Sequence, residues 1–263
     1  MISIVIRNKN EAKALENILY VITTQYADDY SEILIVDNYS TDNSVEIALK
    51  YNCTVLNIKD FTYGRAINVG IEAAKTKYVL LLSAHAIPVG KSFFKNTLEA
   101  LADTENVAGI RYINSFENYK RAAKNNFTVF KPLENGLMAA CALINKEVWE
   151  QFKFNEELDA IEDKEWSERV FNNGFQLLDL NETYFYFIKR SAKANISRYK
   201  NETVSEYFLA KKTFPGIMAI LGSFFKKVIF TNTGNYFKLL HHDILILKAK
   251  FEIRKKLKKK VSN

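Results

Sequence analysis

EILIVDNYSTDNS, residues 32–44, runs four apolar residues from Ile33 to Val36 into Asp37, then a polar turn, then an amphipathic segment entered through Asp42 and Asn43. A short apolar run closed by turn residues reads as a buried strand, and the segment after it as a helix. The same unit recurs on both sides. Strands are expected at Ile2 to Arg7, Glu32 to Asp37, Thr54 to Ile58 and Tyr78 to Ser83, and helices at Glu11 to Thr24, Asp42 to Tyr51 and Gly64 to Lys75. Strand, helix, strand in this rhythm is an open α/β sheet, mostly parallel, with helices on both faces. Ligands in such sheets bind beyond the carboxyl ends of the strands, where helix N-termini and loop amides converge. That rule marks Arg7 to Asn10, Asp37 to Asp42 and Ser83 to Pro88 as one rim.

Further along, a helix is expected near Ser92 to Ala102, a strand near Val107 to Tyr112, and a polar, aromatic loop from Asn114 to Asn135. A second block follows: the strand LMAACALI, the short helix NKEVWEQF, a helix through EDKEWSERVFNNGF ending at Gly174, and a strand near Gln176 to Phe187. Beyond Ser197 the composition turns helical. The expected organisation is a domain over 1–197, divided into halves at 112 and 113, and a helical segment over 198–263.

Charge narrows the partners. The net +7 lies at one end: from Lys248 to Asn263 eight Lys and Arg face a single acid, Glu252, and the rest of the chain is formally neutral. A surface that coats nucleic acid is therefore disfavoured. Cys53 and Cys141 form no disulfide framework and no metal-binding pair, which fits a reducing compartment. The N-terminus MISIVIRNKNE places its charges after a short apolar run, unlike an export signal. The longest apolar stretches, Tyr78 to Leu82 and Ile217 to Phe225, fall below the ~20 residues that span a bilayer. Membrane contact is expected to be peripheral, on the cytoplasmic face.

On its own, Asp37 is explained as well by ending a strand as by accepting hydrogen bonds from a nucleobase or ribose, and Asp42 by capping a helix. The order and spacing of several motifs say more. SIVIRNKNEA, EILIVDNYSTDNS, FTYGRAINVGI and YVLLLSAHAIP, followed by AACALINKEVWEQFKFNEELDAIEDKEWSERVFNNGF, resemble family 2 glycosyltransferases of the GT-A fold, over about residues 1–190. Within that family the chain looks most like the rhamnosyltransferase-like enzymes of bacterial surface polysaccharide assembly.

The resemblance implies that Asp37 contacts the base of a nucleoside-diphosphate sugar and that Arg7, Asn8, Glu11 and Ser40 line the same pocket. It also implies that Arg65 and Asn68 of YGRAIN face the nucleotide and its phosphates. A guanidinium fork suits phosphate oxygens, and Gly64 leaves the backbone open beside it. Ser83-Ala84-His85 stands where the family carries an Asp-x-Asp metal motif. His85 could hold an Mn²⁺-like ion, less well Mg²⁺, or donate directly to the diphosphate. Metal use and metal independence both stay open. Where the family often has a His, this chain has Lys189 and Arg190, which could meet the charge of the leaving diphosphate or stand as solvated cations.

Asp163, in Glu162-Asp163, is the expected general base toward an acceptor hydroxyl, with Glu162 positioning acceptor or donor sugar. The alternative for both acids is simple complementarity with a helix dipole. One base suffices for inversion, whereas retention calls for a second, nucleophilic carboxylate. The acceptor is expected to be a saccharide, lipid-linked and membrane-held. From Asn235 onward, Leu240, Ile244, Leu247, Phe251, Leu257 and Val261 recur mostly at three- and four-residue steps among lysines, as in a helix lying on an anionic membrane. Two other classes stand beside this reading. A non-catalytic sugar-nucleotide-binding component of an assembly complex is motivated by the missing metal carboxylates. A nucleotidyltransferase is disfavoured because its glycine-rich N-terminal loop is absent.

Overall fold

The computed structural model describes residues 1–261, with side chains through Phe251. The chain divides into two compact units, 1–210 and 211–263.

In the first unit the strands are β1 (Ile2–Asn8), β2 (Tyr30–Asp37), β3 (Thr54–Asn57), β4 (Tyr78–Ser83), β5 (Ala86–Val89), β6 (Val107–Ile113), β7 (Cys141–Asn145) and β8 (Gln176–Tyr186). The helices are α1 (Ala12–Gln25), α2 (Ser44–Lys50), α3 (Tyr63–Ala73), α4 (Phe93–Ala102), α5 (Phe116–Lys124), α6 (Pro132–Asn135), α7 (Lys146–Gln151), α8 (Glu162–Asn172) and α9 (Ala192–Leu209). The strands form one sheet in the order β3-β2-β1-β4-β7-β6-β8-β5. β3, β2, β1 and β4 run parallel; β7 then pairs antiparallel with both β4 and β6. This mixed α/β sheet with helices packed around it is the GT-A fold.

Burial on both faces explains the continuous apolar runs of the central strands. Along β1, Ile2, Ile4 and Ile6 face one core with Leu15, Ile18 and Leu19 of α1, while Val5 faces the other with Ile67 and Ile71 of α3. Helix and strand meet closely at Gly70, where a Cβ would come 2.3 Å from Val5 Cγ1. Register then sets the rim: Arg7 lies opposite Val36 on one side and Ser83 on the other, and Asn8 lies opposite Asp37.

Four expectations are corrected. The loop expected over Asn114 to Asn135 contains α5 and α6. Ser115 caps α5 by accepting from the Asn118 N–H at 3.2 Å, and Arg121 grips the buried Asp179 through two bonds of 2.8 and 2.7 Å. Only Ala122 of this helix is buried, so it carries no long apolar run to announce it. Second, Ala86 to Val89 leave the rim to form β5, an edge strand antiparallel to β8. An edge tolerates Pro88, which has no N–H to give. Third, the strand expected from Leu137 begins only at Cys141, because the backbone of Leu137 and Ala139 bonds to the side chains of Ser167, Arg7 and Asp163 instead.

The fourth correction concerns the second unit, where α10 (Ile217–Lys226), a π-helical stretch (Lys227–Asn232) and α11 (Thr233–Val261) follow one another. Exposed Leu239, Leu240, Ile244, Leu245, Ile246 and Leu247 surround α11 rather than forming one stripe. The expected one-sided face on that helix is therefore not found among the described side chains; Leu257 and Val261 lie outside them.

Candidate functional site

The carboxyl end of β1 organises the site. Asn8 Nδ2 donates to Asp37 Oδ1 at 2.9 Å and to Ser40 Oγ at 3.1 Å. Asp37 also accepts from the Ser40 N–H at 2.7 Å and from Ser40 Oγ–H at 2.6 Å. Its carboxylate is fully buried. Asp37 therefore shapes the turn after β2 from within, and the exposed edge of that turn is what a ligand can meet.

Arg7 points from the same strand end across to the second half of the domain. Its Nη2 donates to the Ala139 carbonyl at 2.9 Å, its Nη1 lies 3.6 Å from Glu162 Oε1, and its guanidinium sits 5.5 Å from the centre of the Tyr63 ring. Nη1 is buried and makes no hydrogen bond. Glu162 and Asp163 open α8, whose N-cap Ile161 is left-handed at φ 59°. Asp163 Oδ2 accepts from the Ala139 N–H at 2.8 Å, and its Oδ1 from the Lys164 N–H at 2.8 Å. Ala139 thus binds Arg7 through its carbonyl and Asp163 through its N–H.

These groups line a cleft of about 670 Å³. Arg190 lines it too, its Nη2 3.1 Å from the Tyr186 hydroxyl, whereas Lys189 is exposed outside the lining. Of the two cations after β8, Arg190 is the one that lines the cleft. Arg198, Asn201, Glu202 and Glu206 of α9 form one wall, and buried Arg111, held by Asn118 Oδ1 at 2.9 Å and the Gly136 carbonyl at 3.1 Å, reaches another. Sequence reasoning missed Tyr63, Arg111 and the α9 residues. The available signal was the three- and four-residue spacing of polar residues in Ser197 to Glu206, which a boundary at 197 cuts away.

Burial raises both acids. It is the largest cause of the rise in Glu162 from 4.5 to about 7; repulsion from Asp163 adds to it and Arg7 opposes it. Asp163 is also raised by burial, against the Ala139 N–H and Arg7. Repulsion between two adjacent carboxyls so placed opposes ionising both at once.

Ser83 and His85 lie beside this cleft, at the turn from β4 to β5. His85 Nε2 is 3.3 Å from Glu11 Oε1, and the ring stands edge-on to Phe187 with centroids 6.0 Å apart. Among the described residues no three His, Cys, Asp or Glu side chains gather as a metal site. One imidazole and one carboxylate fit an Mn²⁺-like ion whose shell is completed by phosphate oxygens, and fit Mg²⁺ poorly.

Two expected donor residues are placed differently. Arg65 is half-exposed, 4.0 Å from Asp60, a surface ion pair at the start of α3. Asn68 is a correction. Its Nδ2 donates to the Phe154 carbonyl at 2.9 Å and to Glu156 at 2.8 Å, and its Oδ1 accepts from Trp149 Nε1 at 2.9 Å and the Phe154 N–H at 3.0 Å. Buried and fully engaged, it joins α3 to the segment after α7. Gly64 belongs to the same contact: a Cβ there would come 2.2 Å from the Asn155 carbonyl oxygen, so its openness is filled by protein.

Residues 3–185 match the family described as Glycosyl transferase family 2. No curated protein matches the chain. Among solved structures it is similar to mannosyltransferase PcManGT from Pyrobaculum calidifontis, in complex with GDP-Man and Mn²⁺, at 18% identity and TM-score 0.63, over 82% of this chain and 65% of that one. It is similar to residues 1–349 of S. aureus TarS with UDP-GlcNAc at 19% identity and TM-score 0.58, over 73% and 59%. Glucosyl-3-phosphoglycerate synthase from Mycobacterium tuberculosis, with Mn²⁺, UDP-Glc and phosphoglyceric acid, matches at 14% identity and TM-score 0.61, over 82% and 81%. The chain spans less than two thirds of the length of the first two.

Two outcomes are expected from this geometry. Asn68→Ala strands several buried polar groups and should lower unfolding stability by at least about 2 kcal/mol in denaturant titration. Glu162 binds a proton more tightly folded than unfolded, so its contribution to stability is full below 4.5 and is lost as pH rises through about 7. Glu162→Gln removes that loss, so the melting temperature of the variant relative to wild type should climb between those two pH values.

Proposed function

The chain belongs to glycosyl transferase family 2, and on that premise we propose that it moves a sugar from a nucleoside-diphosphate donor to a saccharide acceptor, with inversion at the anomeric carbon. The observation that carries this reading is the placement of Asp163: a carboxylate held by the Ala139 N–H, in a cleft of about 670 Å³, with the Arg7 guanidinium beside its neighbour Glu162.

In this reading the acceptor hydroxyl enters the cleft and gives its proton to Asp163 as its oxygen attacks the anomeric carbon, and the bond to the diphosphate breaks on the opposite face of the sugar. The Ala139 and Lys164 N–H groups each hold one carboxylate oxygen and so orient the group toward the proton. Glu162, neutral or ionised according to pH, hydrogen-bonds the sugar or the acceptor. The donor's nucleotide lies along the turn that Asn8, Asp37 and Ser40 hold in place. Charge growing on the diphosphate meets Arg7, held in place by the Ala139 carbonyl, and Arg190. A metal ion held by His85 and Glu11 would supply Lewis-acid stabilisation of the same phosphates.

The finer assignment follows the sequence resemblance: a rhamnosyltransferase-like enzyme acting on a lipid-linked acceptor at the cytoplasmic face of a bacterial membrane, in surface polysaccharide assembly. A second reading keeps a specific support. Ser83-Ala84-His85 replaces the metal carboxylates, as expected of a sugar-nucleotide-binding component without turnover.

One experiment separates them. Nucleotide sugars are screened for thermal stabilisation with and without Mn²⁺ or Mg²⁺, and each stabilising donor is then assayed for sugar transfer and for slow hydrolysis. The enzyme reading expects turnover that Asp163→Asn lowers by about 10²-fold or more while the melting temperature and donor-induced shift persist. Donor binding without turnover under every condition selects the second reading.

A further inference from the structure

The second unit carries a surface that the proposed chemistry does not use. In α10, Ile217, Ile220, Leu221, Phe224 and Phe225 recur at helical steps, and Val228 continues the row. All six are exposed. Ala219, Ser223 and Lys226 lie on the opposite side, so the helix has an apolar half and a small, cationic half. Leaving such a row in water is unfavourable at roughly 25 cal/mol for each Å². Something covers it.

Charge identifies the cover. From Lys211 to Asn263 there are thirteen Lys and Arg against two acids, Asp243 and Glu252. A second copy laid over this face would bring together two segments of the same high positive charge. An anionic lipid surface neutralises that charge while its acyl chains take up the apolar row. Among the described residues no helix is long and apolar enough to cross a membrane. At ~1.5 Å per residue the stretch from Ile217 to Phe230, interrupted by Lys226 and Lys227, covers about 20 Å, short of the ~30 Å hydrocarbon core.

We propose that α10 is a leaflet-inserting helix: it lies in the plane of an anionic membrane with Ile217, Ile220, Leu221, Phe224, Phe225 and Val228 sunk below the headgroups, and with Lys226 and Lys227 reaching back to them. This deepens the membrane part of the function proposed above and is independent of the transfer chemistry. It also moves the apolar anchor from α11 to α10 and leaves the terminal lysines an electrostatic role.

The test uses the full chain with vesicles of phosphatidylcholine alone or mixed with phosphatidylglycerol, at low and high salt. Phe224→Glu with Phe225→Glu is compared with wild type, and Phe225→Trp reports depth through quenching by brominated lipids. Insertion expects co-sedimentation with the anionic vesicles that resists high salt and falls at least tenfold in the double variant, with the new tryptophan quenched. Binding fully released by salt and indifferent to the double variant overturns insertion while leaving surface adsorption by the lysines intact. Absence of vesicle binding, together with a lipid-free oligomer that the double variant dissociates, overturns both and assigns the face to a second copy.

Discussion

The first unit turns on one largely enclosed cation, Arg7, whose side chain is 14% exposed. Arg7 ends a central strand that belongs to the nucleotide-side half of the sheet, yet its guanidinium holds the Ala139 carbonyl and stands 3.6 Å from Glu162 in the other half. A guanidinium is charged at every accessible pH, and burying it calls for acceptors arranged in its plane. The Ala139 carbonyl supplies one, and Glu162 at the start of α8 adds its charge at 3.6 Å without a hydrogen bond. The route taken by the chain between β6 and β8 is thus coupled to the charge at the tip of β1. Asp163 joins through the opposite side of the same peptide, so the position of the carboxylate is set by the contact that satisfies the cation.

This arrangement places two acids where neither is comfortably ionised. Burial dominates the rise in both, and Arg7 only partly offsets it. The strain is specific to the site. Elsewhere Arg121 meets buried Asp179 through two hydrogen bonds, and Asn68 closes a network with Trp149 and Phe154. An incompletely paired guanidinium beside raised carboxyls in an open cleft is an arrangement that a charged ligand can use.

The parallel half of the sheet was legible because strands buried on both faces must be written as unbroken apolar runs; β4 falls on Tyr78–Ser83 as expected, and β1 and β2 within two residues at each end. What stayed hidden shares a cause. α5 is held by Ser115 at its start and Arg121 at its side rather than by an apolar stripe, and the cleft-facing side of α9 is polar because it lines a cavity and not a core. Residues 137–140 look like strand in their composition, and only the demands of Arg7, Asp163 and Ser167 on their backbone reveal otherwise. Asn68 went wrong in the other direction: a polar residue in a motif near the rim looks like a ligand contact until its four hydrogen bonds are found inside the protein. The acids at 162 and 163 could be picked out in the sequence, but their tie to Ala139 could not.

The two borders of the sheet have a further bearing. One is β3, four residues long, and the other is β5, equally short and interrupted by Pro88, which offers no N–H to a newcomer. A long bare strand edge is a template on which like molecules can zip together, and crowding makes such recruitment faster. Here each margin is too brief, and one is chemically blunted. Molecules of this kind can therefore gather densely without their sheets growing into one another.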